Sequence, residues 1–189
     1  MSTPRFVLFH GSYSSPESNW IPWLSNKLKD QGFSVTIPLF PTPEGQSLEN
    51  WSDAFSKQVG SLEPDMVLVG HSMGVGMILR LLEKSPVSVR ASFLVAGWEG
   101  LLNSSDFDPV IESFYQEPLD FEYIKKNCST FVQYHGDNDP YVPLELGEQL
   151  AINLNTDLKV IDNGGHLNSD SGFNEFPKLF EDIEMVIKL

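Results

Sequence analysis

Residues 66–78 of this 189-residue chain read Met66-Val67-Leu68-Val69-Gly70-His71-Ser72-Met73-Gly74-Val75-Gly76-Met77-Ile78. The first four residues are uninterruptedly apolar, which is typical of a strand buried on both faces of a parallel sheet. From Met73 to Lys84 the apolar residues recur at helical spacing, which predicts a helix. The turn between them fits the pattern G-x-S-x-G with Ser72 at its centre. The stretch therefore predicts a strand–turn–helix unit that presents a serine.

Apolar strands and helical patterns alternate on both sides of this unit. Further strands are predicted at residues 5–9, 33–39, 91–96, 129–134 and 158–161. Further helices are predicted after a cap at Ser18 and at residues 47–59, 144–154 and 173–187, with one or two short helices within 97–127. This alternation indicates right-handed crossovers. We expect a three-layer α/β/α fold with about six parallel strands, in one domain that spans residues 1–189.

The composition excludes several classes of partner. The formal net charge is −14, and such a chain gains little from binding nucleic acid or an anionic membrane surface. Cys128 is the only cysteine, so it forms no disulfide within the chain and is expected to be a small buried group. The N-terminus lacks the pattern of a secretion signal, and no apolar segment reaches the ~18–20 residues of a membrane span. We expect a cytoplasmic protein without nucleic-acid or membrane partners.

Ser72 is the predicted nucleophile, because a strand-to-helix turn exposes the serine oxygen beside a helix N-terminus. The alternative is an ordinary glycine-rich turn in which Ser72 only caps the helix. A serine hydroxyl needs a base to remove its proton, and His166 follows the sixth predicted strand, on the side of the sheet where that base belongs. His10, His71 and His135 are expected to be structural instead.

The acid that orients the base is expected between the serine and the histidine, at another strand end. Two aspartates, Asp137 and Asp139, lie there. We favour Asp139, because the turn that follows it can direct its carboxylate towards His166. Asp137 is the alternative, although it can stabilise the turn through backbone hydrogen bonds instead. Asp162, beside the histidine loop, is a third candidate.

Acyl transfer also needs hydrogen-bond donors for the carbonyl oxygen that becomes negative. The backbone N–H of Met73 is the first predicted donor. The second is expected from the loop after the first strand, from Ser12 or, as the alternative, Tyr13. Aromatic residues near this edge are either pocket walls or ordinary packing and surface residues. These aromatic residues are Tyr13, Trp98, Phe107, Phe114 and Tyr141.

With these residues the chain resembles the α/β-hydrolase superfamily over nearly its whole length. More narrowly, it is similar to the small serine hydrolases typified by retinoblastoma-binding protein 9, which have little or no lid. The likeness rests on His10-Gly11-Ser12, Trp20, Trp23, Trp51, Gly70-His71-Ser72-Met73-Gly74, Gly136-Asp137-Asn138-Asp139 and Gly165-His166. The resemblance implies a minimal six-stranded fold without a large lid and an esterase-type activity. It also implies that the aspartate three residues after the glycine, Asp139, is the acid.

We therefore expect a serine hydrolase that cleaves a small carboxylic ester through an acyl-enzyme on Ser72. The expected partner is a small-molecule acyl substrate, and neither a metal nor an organic cofactor is implied. A thioesterase, amidase or peptidase would use the same three side chains. A non-catalytic binding or scaffold protein, or a carrier that binds an ester slowly, is the alternative outside enzymes, because a fold does not fix a function.

Overall fold

A computed structural model of the chain describes residues 3–188. Its strands are β1 (Arg5–Phe9), β2 (Ser34–Thr36), β3 (Met66–His71), β4 (Ala91–Val95), β5 (Phe131–Gly136) and β6 (Leu158–Ile161). They pair in parallel in the order β2-β1-β3-β4-β5-β6. β3 lies between β1 and β4 and is buried at every position, as its apolar sequence predicted.

Helices cover both faces of this sheet. They are α1 (Ile21–Asp30), α2 (Leu48–Gln58), α3 (Met73–Lys84), α4 (Asp108–Tyr115), α5 (Phe121–Asn127), α6 (Leu144–Leu154) and α7 (Pro177–Ile187). Side chains of β3 alternate between two hydrophobic clusters, with Leu68 in one and Val69 in the other. The first cluster includes residues of α2 to α6, and the second includes residues of α1 and α7. The predicted three-layer α/β/α fold with six parallel strands is confirmed.

The second strand is shorter than predicted. β2 ends at Thr36 instead of continuing to Leu39. Pro38 has no backbone N–H for a strand ladder, and the backbone of Leu39 pairs with a side chain instead. Its N–H donates to Gln58 Oε1 at 2.9 Å, and its carbonyl accepts from Gln58 Nε2 at 2.9 Å. The chain thus leaves the sheet edge at Thr36 and reaches α2.

Two helix starts also differ from the prediction. Ser18 does not cap α1, which begins at Ile21; the Ser18 hydroxyl accepts a hydrogen bond from Ser15 N at 3.0 Å. The last helix begins at Pro177 instead of residue 173. A short 3₁₀ helix at Ser169–Ser171 precedes it. Proline is favoured at the first helical position, which accounts for the later start of α7.

The segment between β4 and β5 contains α4 and α5 and no large lid within residues 3–188. Cys128, at the end of this segment, is buried and free, as expected. Burial raises the pKa of its thiol to about 11. Across the same residues, every helix is too short or too polar to pass through a lipid bilayer.

Candidate active site

Ser72 lies in a strained turn between β3 and α3. Its backbone has φ 55° and ψ −125°, outside the region that most residues with a side chain adopt. The Ser72 hydroxyl makes no capping hydrogen bond to α3, so the interpretation as a simple helix cap is wrong. A Cβ at Gly74 would come within 2.5 Å of Phe9 O and 2.8 Å of His10 O. Only glycine therefore lets the start of α3 pack directly on the end of β1.

Three polar side chains form a hydrogen-bonded chain at the carboxyl edge of the sheet. The Ser72 hydroxyl donates to His166 Nε2 at 2.9 Å, and His166 Nδ1–H donates to Asp139 Oδ2 at 2.7 Å. These residues follow β3, β6 and β5, so three separate strands bring them together. The side chains of His166 and Asp139 are 9% and 0% exposed. The geometry makes Nε2 the hydrogen-bond acceptor for the Ser72 hydroxyl and leaves the Asp139 carboxylate facing Nδ1.

Asp139 is held by the turn that follows it. Its Oδ1 accepts hydrogen bonds from the backbone N–H groups of Tyr141 and Val142 at 2.9 and 3.1 Å, which leaves Oδ2 for His166. Burial alone would raise the pKa of this carboxyl group. The hydrogen bond and charge of His166, together with the two backbone donors, hold the pKa below its ordinary value. Asp139 therefore faces His166 as a carboxylate.

The competing aspartates lie elsewhere. Asp137 is exposed, and its Oδ1 accepts from the backbone N–H of Asn163 at 2.8 Å. Asp162 is exposed as well. Asn138 lies between Asp137 and Asp139, and its Oδ1 accepts a hydrogen bond from the backbone N–H of Gly165 at 2.6 Å. Asn138 thus holds the loop that carries His166, a role that its sequence pattern did not indicate.

His71 contacts His166 without joining the hydrogen-bonded chain. Its Nε2–H donates to the backbone carbonyl of His166 at 2.9 Å, and the two ring centroids lie 5.0 Å apart. Its Nδ1 is buried and has no hydrogen-bond partner among residues 3–188. Burial, reinforced by the charge of His166, lowers the pKa of His71 to about 3. His71 is therefore neutral and supports the histidine loop.

His10 and His135 are also fixed by backbone groups. His10 Nε2 accepts from Phe40 N at 3.0 Å, and its Nδ1–H donates to Gly11 O at 2.9 Å. His135 Nε2–H donates to Val142 O at 3.0 Å. Burial lowers the pKa of both rings. Their hydrogen bonds to the backbone agree with the structural roles expected of them.

Two backbone N–H groups near Ser72 are free to bind an oxygen atom. Met73 is the first residue of α3, and the first N–H groups of a helix have no partner within it. The N–H of Ser12 makes no hydrogen bond within residues 3–188. The N–H of Tyr13 is occupied, because it donates to Thr42 Oγ1 at 2.7 Å. Of the two donors considered in this loop, Ser12 is the one left free.

Ser72 and His166 open into a cavity of about 750 Å³. Four of the five aromatic residues predicted as pocket walls line it: Tyr13, Trp98, Phe107 and Tyr141. For the fifth, Phe114, the alternative of ordinary packing holds. Its ring is fully buried and packs edge-on against Trp51, with the centroids 5.2 Å apart. Phe114 faces the core because it lies on the inner side of α4.

The aromatic walls contact one another across the cavity mouth. The Phe107 ring makes edge contacts with Tyr13 and Tyr141, at centroid distances of 5.9 and 5.7 Å. Tyr141 in turn stands edge-on to His166 at 5.1 Å. The Tyr13 hydroxyl donates to the carbonyl of Asp106 at 3.2 Å. These contacts fix the segment before α4 above the hydrogen-bonded chain.

The charges around the cavity are of one sign. Asp106 and Asp170 line it, whereas no lysine or arginine in the described part of the chain does. Within residues 3–188, no cluster of three histidine, cysteine or acidic side chains has the arrangement of a metal site. The cavity thus combines an apolar aromatic wall with a negatively charged rim.

Comparisons with known proteins agree with this geometry. The family model described as Serine hydrolase matches residues 6–184. YdeN of Bacillus subtilis (strain 168) is 28% identical over 181 residues, covering 95% of this chain and 94% of YdeN. Serine hydrolase RBBP9 of Rattus norvegicus is 22% identical over 169 residues, covering 89% of this chain and 86% of RBBP9.

Solved structures share the fold. The crystal structure of the ydeN gene product from B. subtilis has a TM-score of 0.90 and 26% identity, covering 99% of this chain and 100% of that one. Est1E from Butyrivibrio proteoclasticus has a TM-score of 0.74 at 16% identity, covering 100% of this chain and 91% of that one. The predicted resemblance to small α/β-hydrolases is therefore confirmed, and the protein is an enzyme with hydrolase activity. The chain belongs to the serine hydrolase family.

Proposed function

We propose that the protein hydrolyses small, uncharged carboxylic esters through an acyl-enzyme on Ser72. The observation that carries this proposal is the pair of hydrogen bonds that links Ser72 to His166 at 2.9 Å and His166 to Asp139 at 2.7 Å. A nucleophile bonded to a base, and a base oriented by an acid, is the arrangement that activates a serine.

In the first half of the reaction, Ser72 Oγ attacks the ester carbonyl carbon while its proton passes to His166 Nε2. Asp139 holds the imidazole by Nδ1–H and stabilises the imidazolium that forms. The carbonyl oxygen becomes negative and accepts hydrogen bonds from the N–H groups of Met73 and Ser12. When the carbonyl re-forms, the bond to the alcohol oxygen breaks, and His166 returns the proton to that oxygen. The products are the alcohol and an ester on Ser72.

In the second half, water takes the place of the alcohol. His166 Nε2 removes a proton from water, whose oxygen attacks the acyl carbon of the Ser72 ester. The same two N–H groups hold the negative oxygen. The bond to Ser72 Oγ then breaks, Oγ recovers the proton from His166, and the carboxylic acid leaves. The cycle is balanced and needs only water as a co-reactant.

The charges of the cavity support an uncharged substrate. Asp106 and Asp170 on its lining would repel phosphate or carboxylate groups, and no lysine or arginine of the lining would neutralise them. Phe107 and Tyr141 offer apolar surface to an acyl or alkoxy group. An ester of a short or aromatic acid suits this lining better than a coenzyme A thioester, which carries several phosphate charges.

Hydrolysis of a matched series tests the proposal. A single acyl group is presented as a neutral aryl ester, a neutral thioester, an anilide and a coenzyme A thioester, and kcat/KM is measured for the wild type and Ser72→Ala. We expect the neutral ester to be hydrolysed fastest, the coenzyme A thioester slowest among the activated acyl donors, and turnover by Ser72→Ala to fall to background. Retention of most activity by a folded Ser72→Ala protein would contradict the proposal. Faster turnover of the coenzyme A thioester would contradict the substrate class.

A further inference from the structure

The loop that supplies Ser12 is tied to the segment that follows β2. The Tyr13 N–H donates to Thr42 Oγ1 at 2.7 Å, and Gln46 Nε2 donates to Ser12 Oγ at 2.7 Å. The Thr42 hydroxyl donates to Gln46 Oε1 at 2.6 Å, which joins the two contacts. The half-buried side chains of Thr42 and Gln46 thus bind two consecutive residues of this loop, although they lie about thirty residues away in the sequence.

In the orientation of the Gln46 amide that the structure has, the three hydrogen bonds run in one direction. Thr42 Oγ1 accepts from the Tyr13 N–H, so its own proton is free to donate to Gln46 Oε1. The Gln46 oxygen is then an acceptor, and its NH₂ group points to the Ser12 hydroxyl. Each of the three contacts therefore pairs a donor with an acceptor, and such connected hydrogen bonds rigidify the structure around them.

The loop that contains Ser12 and Tyr13 lies directly against Ser72. A Cβ at Gly11 would come within 2.8 Å of Ser72 Cβ and 3.3 Å of Ser72 Oγ. Tyr13 adopts a left-handed backbone with φ 54°, a conformation that costs free energy for a residue with a side chain. Because Thr42 binds the N–H of Tyr13, it stabilises this turn and leaves the preceding N–H, that of Ser12, free.

We propose that Thr42 and Gln46 are positioning residues that hold the Ser12 N–H where the substrate oxygen becomes negative. The inference rests on the proposed function, since it assigns these residues to the transition state of that reaction. Neither side chain touches the substrate; both act through the loop of Ser12 and Tyr13. Loss of the Thr42 hydroxyl releases Tyr13 and allows the Ser12 N–H to turn away.

The test compares Thr42→Val, which keeps the shape and removes the hydroxyl, with Thr42→Ser, which restores it. Thr156→Val is the matched control, because the Thr156 hydroxyl also bonds a backbone group, Phe131 O at 2.8 Å, but lies outside the cavity lining. For each protein, kcat and KM are measured with the neutral aryl ester. The inhibition constant is measured with a trifluoromethyl ketone, whose adduct with serine carries the negative oxygen. Thermal unfolding reports stability.

We expect Thr42→Val to lower kcat by about tenfold or more, with KM changed less than about twofold, because an interaction of the transition state is lost. The ketone should bind more weakly by a similar factor. Gln46→Leu should show the same pattern, and Thr42→Ser should recover most of kcat. Thr156→Val should lower the melting temperature at most, without a change in kcat or in ketone binding.

The inference would be overturned if Thr42→Val kept the wild-type kcat and ketone affinity, or if it behaved as Thr156→Val does and lost only stability. A failure of this kind leaves the proposed function intact, because the wild type would still hydrolyse the ester through Ser72. A wild type that neither hydrolyses esters nor binds the ketone would overturn the proposed function and this inference together.

Discussion

Replacing Asp139 by asparagine reverses the polarity of a single hydrogen bond and preserves the shape of the site. The Oδ1 of the new side chain can still accept from Tyr141 and Val142, at the positions 2.9 and 3.1 Å away. Its NH₂ group then takes the place of Oδ2, 2.7 Å from His166 Nδ1. Two donors cannot share this contact, so His166 is stabilised with its proton on Nε2. In that form the ring cannot accept the proton of Ser72.

The loss of activity in Asp139→Asn can be worked out from these contacts, because catalysis requires a proton on His166 Nδ1. Compared with the wild type, the imidazolium that forms on His166 lacks a hydrogen bond to a charged group, worth about 1.5–3 kcal/mol, and its Nδ1–H is a buried donor without a partner, at about 1–3 kcal/mol. The sum of about 2.5–6 kcal/mol corresponds to a loss of about 10²–10⁴ in kcat. We expect little change in stability, because the two backbone hydrogen bonds of the turn persist.

Initial rates of aryl ester hydrolysis at neutral pH measure this loss. Asp137→Asn is the matched control, since its Oδ1 can still accept from Asn163 N and its side chain does not face the base. We expect the control to retain activity close to that of the wild type. The reasoning is refuted if folded Asp139→Asn stays within about tenfold of the wild-type kcat, or if Asp137→Asn loses as much activity.

Three further predictions concern packing, pH and the cavity. Gly74→Ala should lower the free energy of unfolding by about 1–3 kcal/mol in urea titrations, because the new Cβ meets Phe9 O at 2.5 Å. The pKa of His71 falls from 6.5 to about 3 on burial, so below pH 6.5 the unfolded chain takes up a proton that the folded chain does not. The contribution of His71 to the free energy of unfolding is complete above pH 6.5, and up to about 4–5 kcal/mol of it is lost as the pH falls towards 3. In urea titrations, the stability of His71→Gln should therefore depend less on pH than that of the wild type. Phe107→Ala should raise KM for aromatic esters about five- to tenfold, through the loss of one cavity wall, whereas Phe173→Ala, outside the cavity lining, should not.

Each of these predictions has an opposing result. An unchanged urea midpoint for Gly74→Ala would mean that α3 and β1 can separate without cost. Equal pH slopes for His71→Gln and the wild type would show that His71 is protonated in the folded state. A KM for Phe107→Ala equal to that of the wild type would mean that aromatic esters do not contact this wall.

The strand–turn–helix unit around Ser72 could be predicted because the sequence pattern that defines it is local. Four apolar residues precede the G-x-S-x-G turn and a helical apolar pattern follows it, and the helix has the predicted bounds, Met73–Lys84. His166 was identified for a similar reason, since it lies in the short loop that follows an apolar strand. In parallel sheets, residues that follow the strands lie at one edge of the sheet. The position of Ser72 and His166 after their strands therefore predicted that they lie close together.

The choice between Asp137 and Asp139 depends on a turn that sequence spacing does not specify. Both follow β5, two residues apart, and only the direction of the chain at Tyr141 decides which carboxylate turns inward. The hydrogen bonds of Thr42 and Gln46 to the Ser12 loop are beyond sequence reasoning, because they join segments about thirty residues apart. The early end of β2 depends partly on a similar contact, between Leu39 and Gln58, and partly on Pro38, which the sequence does show.

Covalent labelling of Ser72 tests the central claim most directly. Wild-type protein and Ser72→Ala are incubated with a fluorophosphonate, and intact mass is measured. The hydrogen bond from Ser72 to His166 predicts one adduct on the wild type and none on the variant. A folded wild type without an adduct, or an adduct of equal yield on Ser72→Ala, would contradict the assignment of Ser72 as the activated nucleophile.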